Sequence, residues 1–121
     1  RVVRADARQF VAELVPPLSI SSYHVLFPDP WPKKRHHKRR VVTPAFVADL
    51  ARTLTPSGVL HVATDIADYF EELVWVVESA GGFRLMEQTV FDADSDLMTN
   101  FASKYIAEGR TLYRARFELG D

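Results

Sequence analysis

The 121 residues contain no cysteine, which excludes disulfides and cysteine-based zinc sites. The four histidines do not stand at metal-ligand spacing on a helix, so no metal is expected. No apolar run approaches the roughly 20 residues that a spanning helix needs, and no signal peptide opens the chain. A cytoplasmic protein with no membrane partner is the simplest reading. Internal repeats, low-complexity tracts and domain linkers are also missing. What remains is ordinary globular composition, 47% apolar and 26% charged, enough for one domain or part of one. Arg1-Val2-Val3-Arg4-Ala5-Asp6 reads as the end of a strand already under way. Residues 1–121 are therefore expected to be the C-terminal part of a single domain. Nothing separates a monomer from a homodimer.

The formal net charge of −1 conceals an asymmetry. Residues 33–40 are Lys-Lys-Arg-His-His-Lys-Arg-Arg, with six formal positives and no acid. Taking these six from the fifteen basic residues leaves nine against sixteen acidic ones. An acidic body with one concentrated basic strip points to a local polyanion contact. A charge run is also commonly just solvated surface. His36 and His37 have cations on both sides, which disfavours protonation and metal binding and leaves hydrogen bonding or packing.

Apolar spacing predicts a helix over Ala7 to Leu14, with Phe10, Val11 and Leu14 on one face, stopped by Pro16-Pro17. Tyr23 to Phe27 reads as a buried strand ended by Pro28-Asp29-Pro30. Residues 31–43 read as a loop. Thr43-Pro44 is an N-cap followed by proline at the first helical position, and that helix reaches about Leu54 with Phe46, Val47, Leu50 and Leu54 inward. Pro56-Ser57-Gly58 reads as a turn. Val59 to Thr64 lacks alternation, as for a strand covered on both faces. Asp65 is expected to cap a helix bearing Ile66, Tyr69, Phe70, Leu73, Val74 and Val77, ended by Gly81-Gly82. Phe83 to Gln88 is a strand, 89–110 a polar loop with a short helix, and Thr111 to Leu119 an exposed closing strand. This order predicts an α/β fold: a mostly parallel sheet, helices on both faces and an antiparallel final strand.

Asp6, Asp29 and Asp65 each fall at the predicted C-terminal end of a strand, where open α/β sheets hold their ligands. Asp6 and Asp65 read equally well as helix caps or turn residues. Asp29 stands apart, because its flanking prolines stiffen the loop and aim the carboxylate. That carboxylate suits the N1–H and N2–H₂ edge of guanine. Trp31 either stacks on a base or packs under the loop.

The segment Phe27 to Arg40, FPDPWPKKRHHKRR, resembles a signature of the bacterial tRNA (guanine-N7-)-methyltransferase family. Arg4-Ala5-Asp6-Ala7 resembles that family's strand end facing the adenosyl part of S-adenosylmethionine. Ala63-Thr64-Asp65 resembles its next strand end, and Thr99-Asn100-Phe101 its late T-x-F element. The resemblance implies a class I S-adenosylmethionine-dependent methyltransferase fold, Rossmann-like and partial. It also implies tRNA as partner and methyl transfer to N7 of a guanine in the variable loop, position 46.

Carried over by that resemblance, Asp6 and Asp29 contact S-adenosylmethionine, and Asp29 is catalytic. Lys33, Asp65, Thr99, Asn100 and Phe101 contact the substrate. Arg35, His36, His37, Lys38, Arg39 and Arg40 contact the RNA. Two departures stand out. Ala102 replaces the family's usual Glu, and the family's glycine-rich first loop is absent. These keep open a non-catalytic RNA-binding fragment or paralogue. An amino-group methyltransferase, suggested by Pro-Asp-Pro-Trp, is opposed by the basic strip and the T-x-F element.

Overall fold

The computed structural model describes residues 2–91 and 111–120. Three helices, α1 (Ala7–Leu14), α2 (Pro44–Thr53) and α3 (Ala67–Ala80), accompany four strands. The strands are β1 (Ile20–Leu26), β2 (Leu54–Thr64), β3 (Phe83–Phe91) and β4 (Leu112–Leu119). They form one sheet in the order β1-β2-β4-β3. β1 and β2 are parallel, while β4 is antiparallel to both its neighbours, β2 and β3. Three strands thus share a direction and the last runs against them, the expected mixed sheet. β4 is not an exposed closing strand. It is wedged into the interior, where Ala115 and Phe117 are fully buried.

Local chemistry explains the helix ends. Asp6 accepts a hydrogen bond from the Arg8 amide at 3.0 Å and caps α1. At the other end of α1, Arg52 donates to the Val11 and Val15 carbonyls at 3.0 and 3.2 Å, satisfying acceptors that the helix leaves open. Thr43 Oγ1 accepts from the Phe46 amide at 3.2 Å with Pro44 beginning α2. Gly81, at φ 80°, ends α3.

All three helices share one hydrophobic core. Val11 of α1, Phe46, Val47 and Leu50 of α2, and Tyr69, Phe70, Leu73, Val74 and Val77 of α3 pack with Leu60, Val62, Ala115 and Phe117 of the sheet. The expectation of helices on both faces therefore fails among the described residues. Side chains alternate along a strand, so His61, Arg114 and Arg116 project to the opposite face. A row crosses that face through the partners His24, His61, Arg116 and Glu87. A smaller cluster of Ala63, Phe91 and Leu112, with Phe27 against it, lies on the same side.

Several local expectations are also revised. Val2 and Val3 are exposed and form no strand. Leu14 faces outward at the end of α1. Pro56-Ser57-Gly58 is an irregular stretch inside β2 rather than a turn: the pairing jumps from Ile20 with Leu54 to Ser22 with Val59. The N-cap of α3 is Ile66, not Asp65, and the Ile66 amide donates to Thr64 Oγ1 at 3.3 Å. Strand β3 continues three residues past Gln88. No helix among the described residues is long and apolar enough to cross a membrane.

Candidate functional site

The parallel pairing of β1 and β2 brings two of the three aspartates to one edge. Leu26 pairs with Ala63, and the Phe27 amide donates to the Ala63 carbonyl at 2.8 Å. Asp29 follows β1, and Asp65 follows β2 directly. Asp6 belongs to α1, as its cap. Its contacts to the Arg8 amide and to Arg8 Nε both use Oδ1.

The loop after β1 is bent at both ends. Phe27 and Trp31 take left-handed backbone angles, φ 53° and 42°, on either side of Pro28-Asp29-Pro30. Such angles disfavour bulky residues and cost on the order of 1–3 kcal/mol each, so they persist only where surrounding contacts enforce them. Between them Asp29 is exposed, while Pro28 and Pro30 are half-buried. The prolines and the two bends present one carboxylate to solvent on a stiff loop.

The basic strip is not an irregular loop. Lys34–Arg39 form a 3-10 helix with no acidic neighbour in its first turn. Arg39 lies over the Trp31 ring, 5.0 Å from its centroid, and His36 meets the same ring edge-on at 5.8 Å. The half-buried Trp31 therefore packs against the strip's own side chains. His36 Nε2 accepts from Arg35 Nε at 3.4 Å, and His37 Nε2 lies 3.3 Å from the Pro32 carbonyl. Both histidines are hydrogen bonders, as their cationic flanks suggested. Arg8 of α1 donates to the Lys38 carbonyl at 3.1 Å and anchors the turn from the other side. Lys33, Lys34, Arg35, Lys38 and Arg39 remain exposed.

Arg40 differs from them. Its side chain is only 13% exposed. Nε donates to the Pro30 carbonyl at 2.6 Å, and Nη1 meets Glu72 Oε2 at 2.6 Å. The guanidinium lies 4.9 Å from the centroid of Tyr69. Tyr69 is buried, and its hydroxyl has no hydrogen-bond partner among the described residues. Burial holds that hydroxyl above the ordinary phenol range. The Arg40 charge opposes this, while Glu72 and Asp29 add to it. Asp29 is thus within electrostatic reach of Tyr69 on α3. From sequence Tyr69 reads only as part of the helix's apolar face, and Glu72 carries no signal. Their placement three residues apart puts them on one side of α3, but only the fold brings Arg40 there.

A cleft of about 410 Å³ runs beside β1. Val3, Ala5, Ala7, His24, Leu26 and Pro28 are among its lining residues. Its lining is mostly apolar and includes the neighbours of Asp6 and the residue before Asp29. The expected substrate residues Thr99, Asn100 and Phe101 lie outside the described residues, as does Ala102. Among the described residues no group of three or more histidines and carboxylates is placed to hold a metal.

The architecture defines a fold class: solved chains that share it include S-adenosylmethionine-dependent methyltransferases and a [4+2]-cyclase. The M1.HpyAVI–SAM complex matches all of this chain and 53% of its own, at a TM-score of 0.62 and 12% identity. A SAM-dependent methyltransferase from Archaeoglobus fulgidus matches 98% of this chain and 67% of its own, at 0.57 and 10%. The chain itself belongs to the methyltransferase family described as "Putative methyltransferase", whose model matches residues 1–118. Among curated proteins, the tRNA (guanine-N(7)-)-methyltransferase of Bordetella pertussis (strain Tohama I) is 51% identical over 89 residues, covering 74% of this chain and 34% of that protein. The one from Nitrosococcus oceani is 36% identical over 118 residues, covering 98% and 50%. The chain spans a third to a half of the length of these relatives.

Proposed function

We propose that the protein containing this chain transfers a methyl group from S-adenosylmethionine to N7 of a guanine in tRNA, in the variable loop at position 46. The observation that carries this reading is the strained Phe27–Trp31 loop, which holds an exposed Asp29 at the edge of the parallel strands and leads straight into a cationic 3-10 helix. A carboxylate for a base and a cationic strip for its backbone are the two things a guanine in folded RNA requires.

Asp29 and Asp6 would hold S-adenosylmethionine. When bound, it supplies an electrophilic sulfonium methyl. N7 of guanine carries a lone pair and no proton, so the chain needs no strong general base. Its task is alignment, which alone accounts for a large part of such rate enhancements. Asp29 orients the purine through its N1–H and N2–H₂ edge and balances the positive charge that grows on the ring. Lys33 and Asp65, with the Thr99–Phe101 segment, complete the substrate side. Arg35, His36, His37, Lys38 and Arg39 face the RNA backbone, in a cytoplasmic setting where tRNA is available.

The test is nucleoside mass spectrometry of tRNA incubated with the full-length protein and S-adenosylmethionine. N7-methylguanosine at the variable-loop position is expected. Methylation of an exocyclic amine would replace this reading with the amino-group one. Tight tRNA binding without any methylation would leave a non-catalytic RNA-binding protein.

A further inference from the structure

Arg40 closes the basic strip in sequence yet turns away from it in space. We infer that Arg40 is a positioning residue, a latch that ties the Asp29 loop to α3, and not a ligand of RNA phosphate. The inference rests on the methyl-transfer reading above only for its activity readout.

Three contacts carry it. The Arg40 Nε bond to the Pro30 carbonyl, at 2.6 Å, fixes the backbone one residue beyond Asp29. The Nη1 bond to Glu72, also 2.6 Å, fixes the guanidinium to the middle of α3. The Tyr69 ring, buried in the core one turn earlier, forms the floor under the guanidinium. The loop it holds has left-handed residues at both ends, so it needs outside contacts to keep its shape. Arginine is suited to this because its planar fork serves two acceptors while its face rests on an aromatic ring. A phosphate ligand would instead be exposed, as Arg35 and Lys38 are.

Arg40→Gln and Glu72→Gln in the full-length protein test the latch. Arg40→Gln should lower kcat by about ten- to a hundredfold, the scale of a slightly misplaced reacting group. Its affinity for tRNA and the salt dependence of that affinity should stay near wild type. Glu72→Gln, at the partly exposed end of the latch, should lower kcat in the same direction by a smaller factor. Hydrogen exchange of residues 27–40, followed by mass spectrometry without RNA, should speed up in both variants. Weaker tRNA binding with a shallower salt slope, at unchanged kcat and unchanged exchange, would make Arg40 a phosphate ligand and overturn the inference. If Arg40→Gln does not fold, Glu72→Gln decides: wild-type exchange and kcat in that variant would also overturn it. If the wild-type protein transfers no methyl group, the proposed function fails, and the exchange experiment still decides the latch.

Discussion

The imidazole rings of His24 and His61 stack 4.5 Å apart, tilted by only 11°, on the sheet face that carries no helix among the described residues. Arg114 Nη2 lies 3.1 Å from His61 Nδ1. A guanidinium only donates, so Nδ1 must be an acceptor and the ring neutral. Burial lowers the His61 pKa to about 4, with His24, Arg114 and Arg116 pushing the same way and Glu87 against.

A pH dependence of stability follows. The folded His61 resists a proton that the unfolded chain takes up near pH 6.5. Stability from this group is full above that pH and falls as pH drops from about 6.5 towards 4. Melting temperatures of wild type and His61→Gln should therefore diverge in slope across that window, with the variant flatter. Parallel curves would show that His61 does not contribute. The ring is partly solvated, so the effect is smaller than full burial would give.

The central place of β4 predicts where mutation hurts. Phe117 is fully buried between helices and sheet, so Phe117→Ala should cost about 3–5 kcal/mol in urea unfolding. Trp75, larger but 68% exposed on α3, should cost no more than about 0.5 kcal/mol when changed to Ala. Similar costs at the two sites would contradict the sheet order.

The basic strip should separate by exposure. Arg35→Ala with Lys38→Ala should weaken tRNA binding and reduce the salt slope by about one to two, at roughly 0.7–0.9 per phosphate contact. Filter binding at several salt concentrations measures this. An unchanged slope would make the strip solvated surface only.

Much of this was legible from local pattern. Period-3.6 spacing located α1, α2 and α3, and Thr43-Pro44 and Gly81 marked ends that the structure keeps. Sheet order was not legible. Arg114, Arg116 and Glu118 alternate with Ala115 and Phe117, which reads as an edge strand. The polar residues instead lie on the face opposite α1, α2 and α3, and the apolar ones fill the core. Pro56-Ser57-Gly58 carried a turn signal that β2 absorbs as an irregularity. At the site, charge alone grouped Arg40 with its neighbours. Its contact with Glu72 spans 32 residues, and no local rule sees that far.

Asp29→Ala in the full-length protein tests the account most directly. Single-turnover formation of N7-methylguanosine, measured alongside tRNA affinity, separates chemistry from binding. The account predicts a rate at least about a hundredfold lower, the scale of losing a preorganised electrostatic partner, with tRNA binding within about twofold of wild type. A near-normal rate would contradict the role given to the Phe27–Trp31 loop.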